Sequence, residues 1–206
     1  METFIECFKI ILTGDKVASR QAARRVRKIL YSSHSSKNEY ADIKKIIETA
    51  PQEYTNIIED WRQENFVISV SVIYYLHGRE KQPDFIFPWL FHLLLNKNGN
   101  IRHAAVRMIG HELGPLTVHL RVPDWKPDRS EIKMEESNRI LCELYLNLNN
   151  LLDDLWRPSY KRYKYVDSLP AGPYKSVQMV LGKLKAYCGE EFIKLLESIL
   201  FKQSLK

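Results

Sequence analysis

His103, Arg107 and His111 fall at i, i+4 and i+8 in NKNGNIRHAAVRMIGHEL, residues 96–113, and share one face of any helix formed there. Two histidines so spaced could hold a metal, but an arginine between them repels the cation, so they read as surface or groove-lining groups. His92 lies amid apolar residues and reads as a core histidine. Asp153 and Asp154 point in different directions on a helix and read as solvated carboxylates. Asp124 and Asp128 flank Trp125 in a proline-rich stretch. That loop could set an acid beside an aromatic wall, although packing is the commoner use of a loop tryptophan. No GxxxxGKS, GxxxxGKT, GxGxxG, HExxH, GxSxG or CxxC occurs. No catalytic residue, metal site or cofactor is assigned.

Positive charge is the stronger signal. The chain carries a net charge of +6, much of it clustered. Residues 16–28 hold Lys16, Arg20, Arg24, Arg25, Arg27 and Lys28 without one acid, and residues 157–164 hold Arg157, Lys161, Arg162 and Lys164 without one. Such clusters are the footprint of a surface that meets a polyanion. Arg20, Arg24 and Arg27 form a stripe opposite Ala22, Val26 and Ile29. Guanidinium groups in a row suit phosphates, and equally suit a solvated helix face.

In WRPSYKRYKYV, residues 156–166, Tyr160, Tyr163 and Tyr165 alternate with Lys161, Arg162 and Lys164. Rings can stack on bases while cations neutralise the backbone. The preferred reading is a lid that lays its rings on the protein and leaves its charges in water, because three exposed tyrosines are costly. Arg20, Arg24, Arg27, Arg107, Tyr160, Lys161, Arg162, Tyr163 and Lys164 make up the candidate binding surface.

These residues must be positioned by helices. Eight glycines in 206 residues are few for a many-turned β architecture. Apolar spacing predicts helices over 2–12, 16–31 and 39–49, with Pro51 ending that helix or starting the next. Tyr54, Ile57, Ile58 and Trp61 continue the helical spacing. FVISVSVIYYL, 66–76, is β-branched enough for a strand, but helical patterns flank it and no partner strand is evident, so it is read as a buried helix. Helices follow over 83–95 and 100–113, then a long connection over 114–129 punctuated by Pro115, Pro123 and Pro127. A capping box of Asp128 and Glu131 opens a helix reaching Leu155. A second loop spans 157–172, Pro173 starts a helix to Tyr187, and Gly189 precedes the last one.

Neither long apolar run, 66–76 or 85–95, reaches the ~20 residues of a membrane span. Glu2 and Glu6 stand where a signal peptide carries positive charge. Cys7, Cys142 and Cys188 are far apart and read as reduced packing residues, so a cytoplasmic protein without a membrane partner is expected.

Residues 88–113 resemble a HEAT repeat. Pro88 falls in the first helix with Leu90, Leu93 and Leu94, a polar turn follows, and Ile101-Arg102 stand where the family has its Val-Arg pair, a place from which Arg102 can bond to turn carbonyls. Ala104-Ala105, Ile109 and Gly110 follow as in the family's second helix. Asn96, Asn98 and Asn100 replace the usual aspartate. Residues 4–30 match more weakly, with Arg20, Ala22-Ala23 and Arg25 in the places of Arg102, Ala104-Ala105 and Arg107. The resemblance implies an all-α, armadillo-like α-α superhelix in one domain, 1–206. About three helix pairs fill 1–113, and a divergent C-terminal helical cap fills 130–206. It implies a non-enzymatic scaffold that binds a macromolecular partner, most readily a protein, on its concave face. The alternative is DNA or RNA bound through 16–28 and 157–164. A lesser alternative is an enzyme similar to the HEAT-like alkylpurine DNA glycosylases, for which Trp61, Trp89, Trp125 and Trp156 would supply aromatics, although that family's aspartate and tryptophan positions do not align here.

Overall fold

The computed structural model describes residues 3–32, 37–76, 86–122, 124, 126 and 132–204, with side chains placed for all of these except 31–32, 37–39 and 199–204. The described residues form ten α-helices and no strand. They fall into two compact units, the first ending at Met108 and the second running on from Ile109.

The first unit opens with α1, Phe4–Thr13. Thr3 and Glu6 form a capping box, each side chain accepting from the other's backbone N–H. Phe4, Cys7, Phe8 and Ile11 repeat at helical spacing and are buried. The chain turns at Gly14, where a Cβ would lie 2.7 Å from the Ile10 carbonyl oxygen, so only glycine fits. Asp15 then accepts from the N–H groups of Val17 and Ala18 and starts α2, Lys16–Ser32.

Helix α3, Lys37–Thr55, buries Ile43, Ile47, Ala50 and Tyr54. Helix α4, Asp60–Ile73, continues as a 3-10 turn over Tyr74–Leu76. Every residue from Phe66 to Ile73 except Ile68 is buried. The hydroxyls of Ser69 and Ser71 donate to the carbonyls of Asn65 and Ile68, so two polar residues enter the core without orphaned donors. Helix α1 packs on α2 and α3, and α4 packs on α1, α2 and α3. Phe8 meets Phe66 edge to face at 5.8 Å, a geometry worth about 0.5–1.5 kcal/mol beyond the area buried.

Helix α5, Phe87–Leu94, and α6, Gly99–Leu116, are joined by a four-residue polar turn. The second unit contains the short α7, Val118–Arg121, then α8, Met134–Leu155, α9, Pro173–Cys188, and α10, Glu190–Ser204. Helix α8 packs on α9, α10 touches both, and α7 touches α9. Gly189 takes φ +79°, the left-handed conformation that ends α9 and suits glycine.

Residues 66–76 are helical, as expected. Several boundaries differ from the sequence reading. Pro51 neither ends nor starts a helix but sits inside α3, because Ala50 and Tyr54 beside it are buried and their packing outweighs the lost backbone bond. The spacing Tyr54, Ile57, Ile58, Trp61 is broken by an irregular link after Thr55, and Ile58 is 90 % exposed. Pro115 lies in the last turn of α6, where the Arg121 guanidinium donates to the Gly114 carbonyl at 2.7 Å. His92 is exposed rather than in the core, its ring edge-on to Tyr54 at 6.1 Å. Helix α8 begins at Met134, and the expected capping box of Asp128 and Glu131 lies outside the described residues, as do Trp125 and 77–85.

Candidate binding groove

The acid-free cluster folds as α2, and its helical period sorts it into two faces. Ser19, Ala22 and Val26 are buried, whereas Arg20, Arg24, Arg27 and Lys28 are exposed. The buried face is pinned by a polar relay. Asn65 of α4 donates to the Ser19 hydroxyl at 3.1 Å, and that hydroxyl donates to the Ile11 carbonyl at 3.1 Å. This relay fixes α2 beside α4 and leaves a groove of about 710 Å³ between their outer edges. Arg20, Arg24, Arg27 and Lys28 stand on its α2 side with Ala23, while Glu64, Asn65, Ile68 and Val72 form its α4 side.

The charge is one-sided. Among the described residues, Arg20, Arg24, Arg27 and Lys28 take part in no side-chain hydrogen bond, ion pair or ring contact. Glu64 is the acid among the described lining residues, and its carboxylate is already engaged. Asn98 donates to one oxygen at 2.7 Å and Asn100 to the other at 2.8 Å. Asn98 of the α5–α6 turn and Asn100 in the first turn of α6 thus serve as amide donors to α4, where an aspartate could only accept.

The same turn shows what Arg102 does. Its Nη1 donates to the Asn96 carbonyl at 2.7 Å and the Lys97 carbonyl at 2.9 Å, the turn-carbonyl role expected from the sequence. Burial lowers its pKa from the ordinary value, which for arginine still leaves it charged. Asn96 donates to the Tyr54 hydroxyl at 3.0 Å, and that hydroxyl donates to Gln63 at 3.3 Å. Lys97 and Asp60 add an exposed ion pair at 2.7 Å.

The α1–α2 turn is held differently. Arg20, which sequence correspondence sets beside Arg102, is exposed and lines the groove. Arg62 of α4 supplies the guanidinium instead, its Nη1 reaching the carbonyls of Ile11, Leu12 and Gly14 at 3.0, 2.7 and 2.9 Å. Hydrogen bonds from Arg62 hold the Glu59 carboxyl below its ordinary pKa. Ala104 and Ala105 are buried, as close helix approach requires. The space at Gly110 faces the flexible end of Lys183, 3.2 Å from where a Cβ would stand.

The other predicted site residues lie apart from this groove's lining. Arg107 is a half-buried residue of α6. Residues 160–164 belong to the second unit, where a 3-10 turn over Pro158–Arg162 follows α8. There Tyr160 stacks on Tyr174 at 4.4 Å and 21°. Lys161 stands 5.5 Å from the Trp156 ring centre, Arg162 4.9 Å from that of Tyr163, and Lys164 5.3 Å from that of Tyr165. Tyr160 is thus held against a ring of α9, while Tyr165 is 65 % exposed.

The α4 side of the groove was missed in the sequence because the 66–76 run reads as core throughout. Its signal is the row Glu64, Ile68, Val72, one i+4 line that starts polar and turns aliphatic. Among the described residues no group of three or more His, Cys, Asp or Glu is placed to hold a metal, and no helix is long and apolar enough to cross a membrane. Cys7, Cys142 and Cys188 form no disulfide, and burial pushes the Cys188 thiol pKa up to about 12. Comparison with protein families, curated proteins and solved structures gives no match.

Proposed function

We propose that this chain is a non-enzymatic scaffold of HEAT-like helix pairs that holds a protein partner along the α2/α4 groove. The observation that carries the reading is the state of the α2 cations. Four exposed charges stand in a row beside Ala23, Ile68 and Val72, and nothing among the described residues neutralises them. Like charges one helical turn apart repel, and a partner of opposite sign relieves that repulsion. The stacking of pairs is supported by the packing of α1 on α3 and α2 on α4, like helix against like. It is also supported by α4 bonding to the turn on either side, through Arg62 to the α1–α2 turn and Glu64 to the α5–α6 turn. Cysteines held without a disulfide fit the reducing cytoplasm as its place.

A second reading, DNA or RNA binding, draws on the loop over 156–165, where exposed Trp156 and Tyr165 each carry a lysine over the ring. One experiment separates the two. A photoreactive residue at Ala23 should give a discrete, nuclease-resistant protein adduct in cells, with none from the same residue at Glu48 on α3. A nuclease-sensitive adduct at Ala23 would replace the protein reading with the nucleic-acid one. Equal labelling at both sites would remove the groove as a binding surface.

A further inference from the structure

Resting on the scaffold reading, we infer that the α2/α4 groove receives an acidic amphipathic helix of the partner protein. The two sides of the groove differ in chemistry, and that asymmetry selects the occupant. The α2 side presents Arg20, Arg24, Arg27 and Lys28, while the α4 side is floored by half-buried Ile68 and buried Val72, with Glu64 at one end. A ligand must therefore be anionic along one flank and apolar along the other. An amphipathic helix with acids on one stripe and aliphatic residues beside it has that division.

Spacing favours a helix over an extended peptide. Arg20, Arg24 and Arg27 advance by four residues and then three, about 6 Å and 4.5 Å along α2. A partner helix lying along α2 with Asp or Glu at i, i+4 and i+7 repeats those steps. An extended chain repeats a face about every 6.6–6.8 Å and loses register by the third residue. Nucleic acid fits less well. The described lining contains no aromatic ring for a base to stack on. A phosphate backbone also carries no apolar flank for Ile68 and Val72, and phosphates crossing to the α4 side meet the Glu64 carboxylate. Glu64 thereby sets orientation as well as class, because its charge turns the partner's acids toward α2.

The test uses the full chain and four labelled probes. These are a helical peptide with Glu at i, i+4 and i+7 and Leu on the adjoining stripe, a peptide of the same composition with the order scrambled, a single-stranded oligonucleotide and a DNA duplex. By fluorescence anisotropy the ordered peptide should bind at least about tenfold more tightly than the scrambled one, a 1.4 kcal/mol difference. Replacing Arg20, Arg24 and Arg27 with Ala should weaken it by about tenfold, the sum expected of three exposed pairs. Replacing exposed Lys9, Lys45 and Lys194, none of which lines the groove, with Ala removes the same charge elsewhere and should change affinity by less than about twofold, since exposed charges outside the contact are screened. Equal affinity for both peptides, equal loss in both triple variants, or tighter binding of either nucleic acid would overturn the inference. Should both peptides fail while Ala23 still yields its protein adduct, the acidic helix is wrong and the scaffold reading stands. Should the adduct fail as well, both fall.

Discussion

Arg62 at the turn end of the first unit and Arg24 on the α2 face carry the same guanidinium in opposite circumstances. The Arg62 side chain is 12 % exposed, and its Nη1 donates to three carbonyls of the α1–α2 turn, one of which, that of Ile11, also accepts from Ser19. Arg102 fills two carbonyls of the α5–α6 turn in the same way. Arg24 and its neighbours Arg20 and Arg27 are exposed beside a groove and bond to nothing described. An arginine whose donors are taken by the backbone contributes to the fold. One whose donors remain open, in a row and beside an apolar surface, is available to a second molecule. The loop over 156–165 stands between these cases, because Lys161, Arg162 and Lys164 each lie over a ring of their own segment.

The contrast can be broken at its strong end first. Arg62→Ala leaves three partly buried carbonyls without their shared donor and should cost about 3 kcal/mol, within the range for charge-assisted bonds. A urea midpoint unchanged from the parent protein would mean that the turn satisfies itself. Arg102→Ala removes two such bonds and should cost about 2 kcal/mol by the same measurement. In the second unit, Tyr160→Ala loses a stacked pair with Tyr174 and should cost about 1–2 kcal/mol including buried area. Exposed Tyr165→Ala should stay within about 0.5 kcal/mol. Reversal of that order would make Tyr165 the ring that holds the loop.

Alkaline titration gives a smaller effect. Burial, and then the hydrogen bond to Glu197, pushes the Tyr145 pKa up to about 12, from an ordinary value near 10. The native state thus favours the neutral phenol. Its contribution is complete below about pH 10 and is lost as pH rises through about 12. Cys188, raised to about 12 by burial, adds to the same trend from lower pH. Stability should therefore fall with rising pH in this window, and Tyr145→Phe should make the fall shallower. A Phe variant with the parent's full slope would assign the loss elsewhere.

Local patterns made part of this legible in sequence. The polar turn before Ile101-Arg102 announced an arginine on turn carbonyls, and that bond spans only five or six residues. The α2 stripe followed from a period of 3.6 and the absence of acids. Arg62 was invisible because its carbonyls lie 48 to 51 residues away, a contact that exists only after α4 packs on α1. The α4 side of the groove was hidden for a related reason. Ile68 reads as core like its neighbours, and only the placing of α2 beside α4 leaves it at the groove edge. Pro51 and Pro115 misled because a proline's local cost was read without the burial around it.

The proposed scaffold requires that the open arginines of α2 serve a partner and not the fold. Its most direct measurement is the yield of the Ala23 photo-adduct in an Arg20/Arg24/Arg27→Ala background, on protein whose urea midpoint is determined from the same preparation. Stability from that midpoint should stay within about 0.5 kcal/mol of the parent, as for exposed surface changes, while the adduct is lost. An adduct retained at full yield, or one lost only alongside a fallen midpoint, would contradict it.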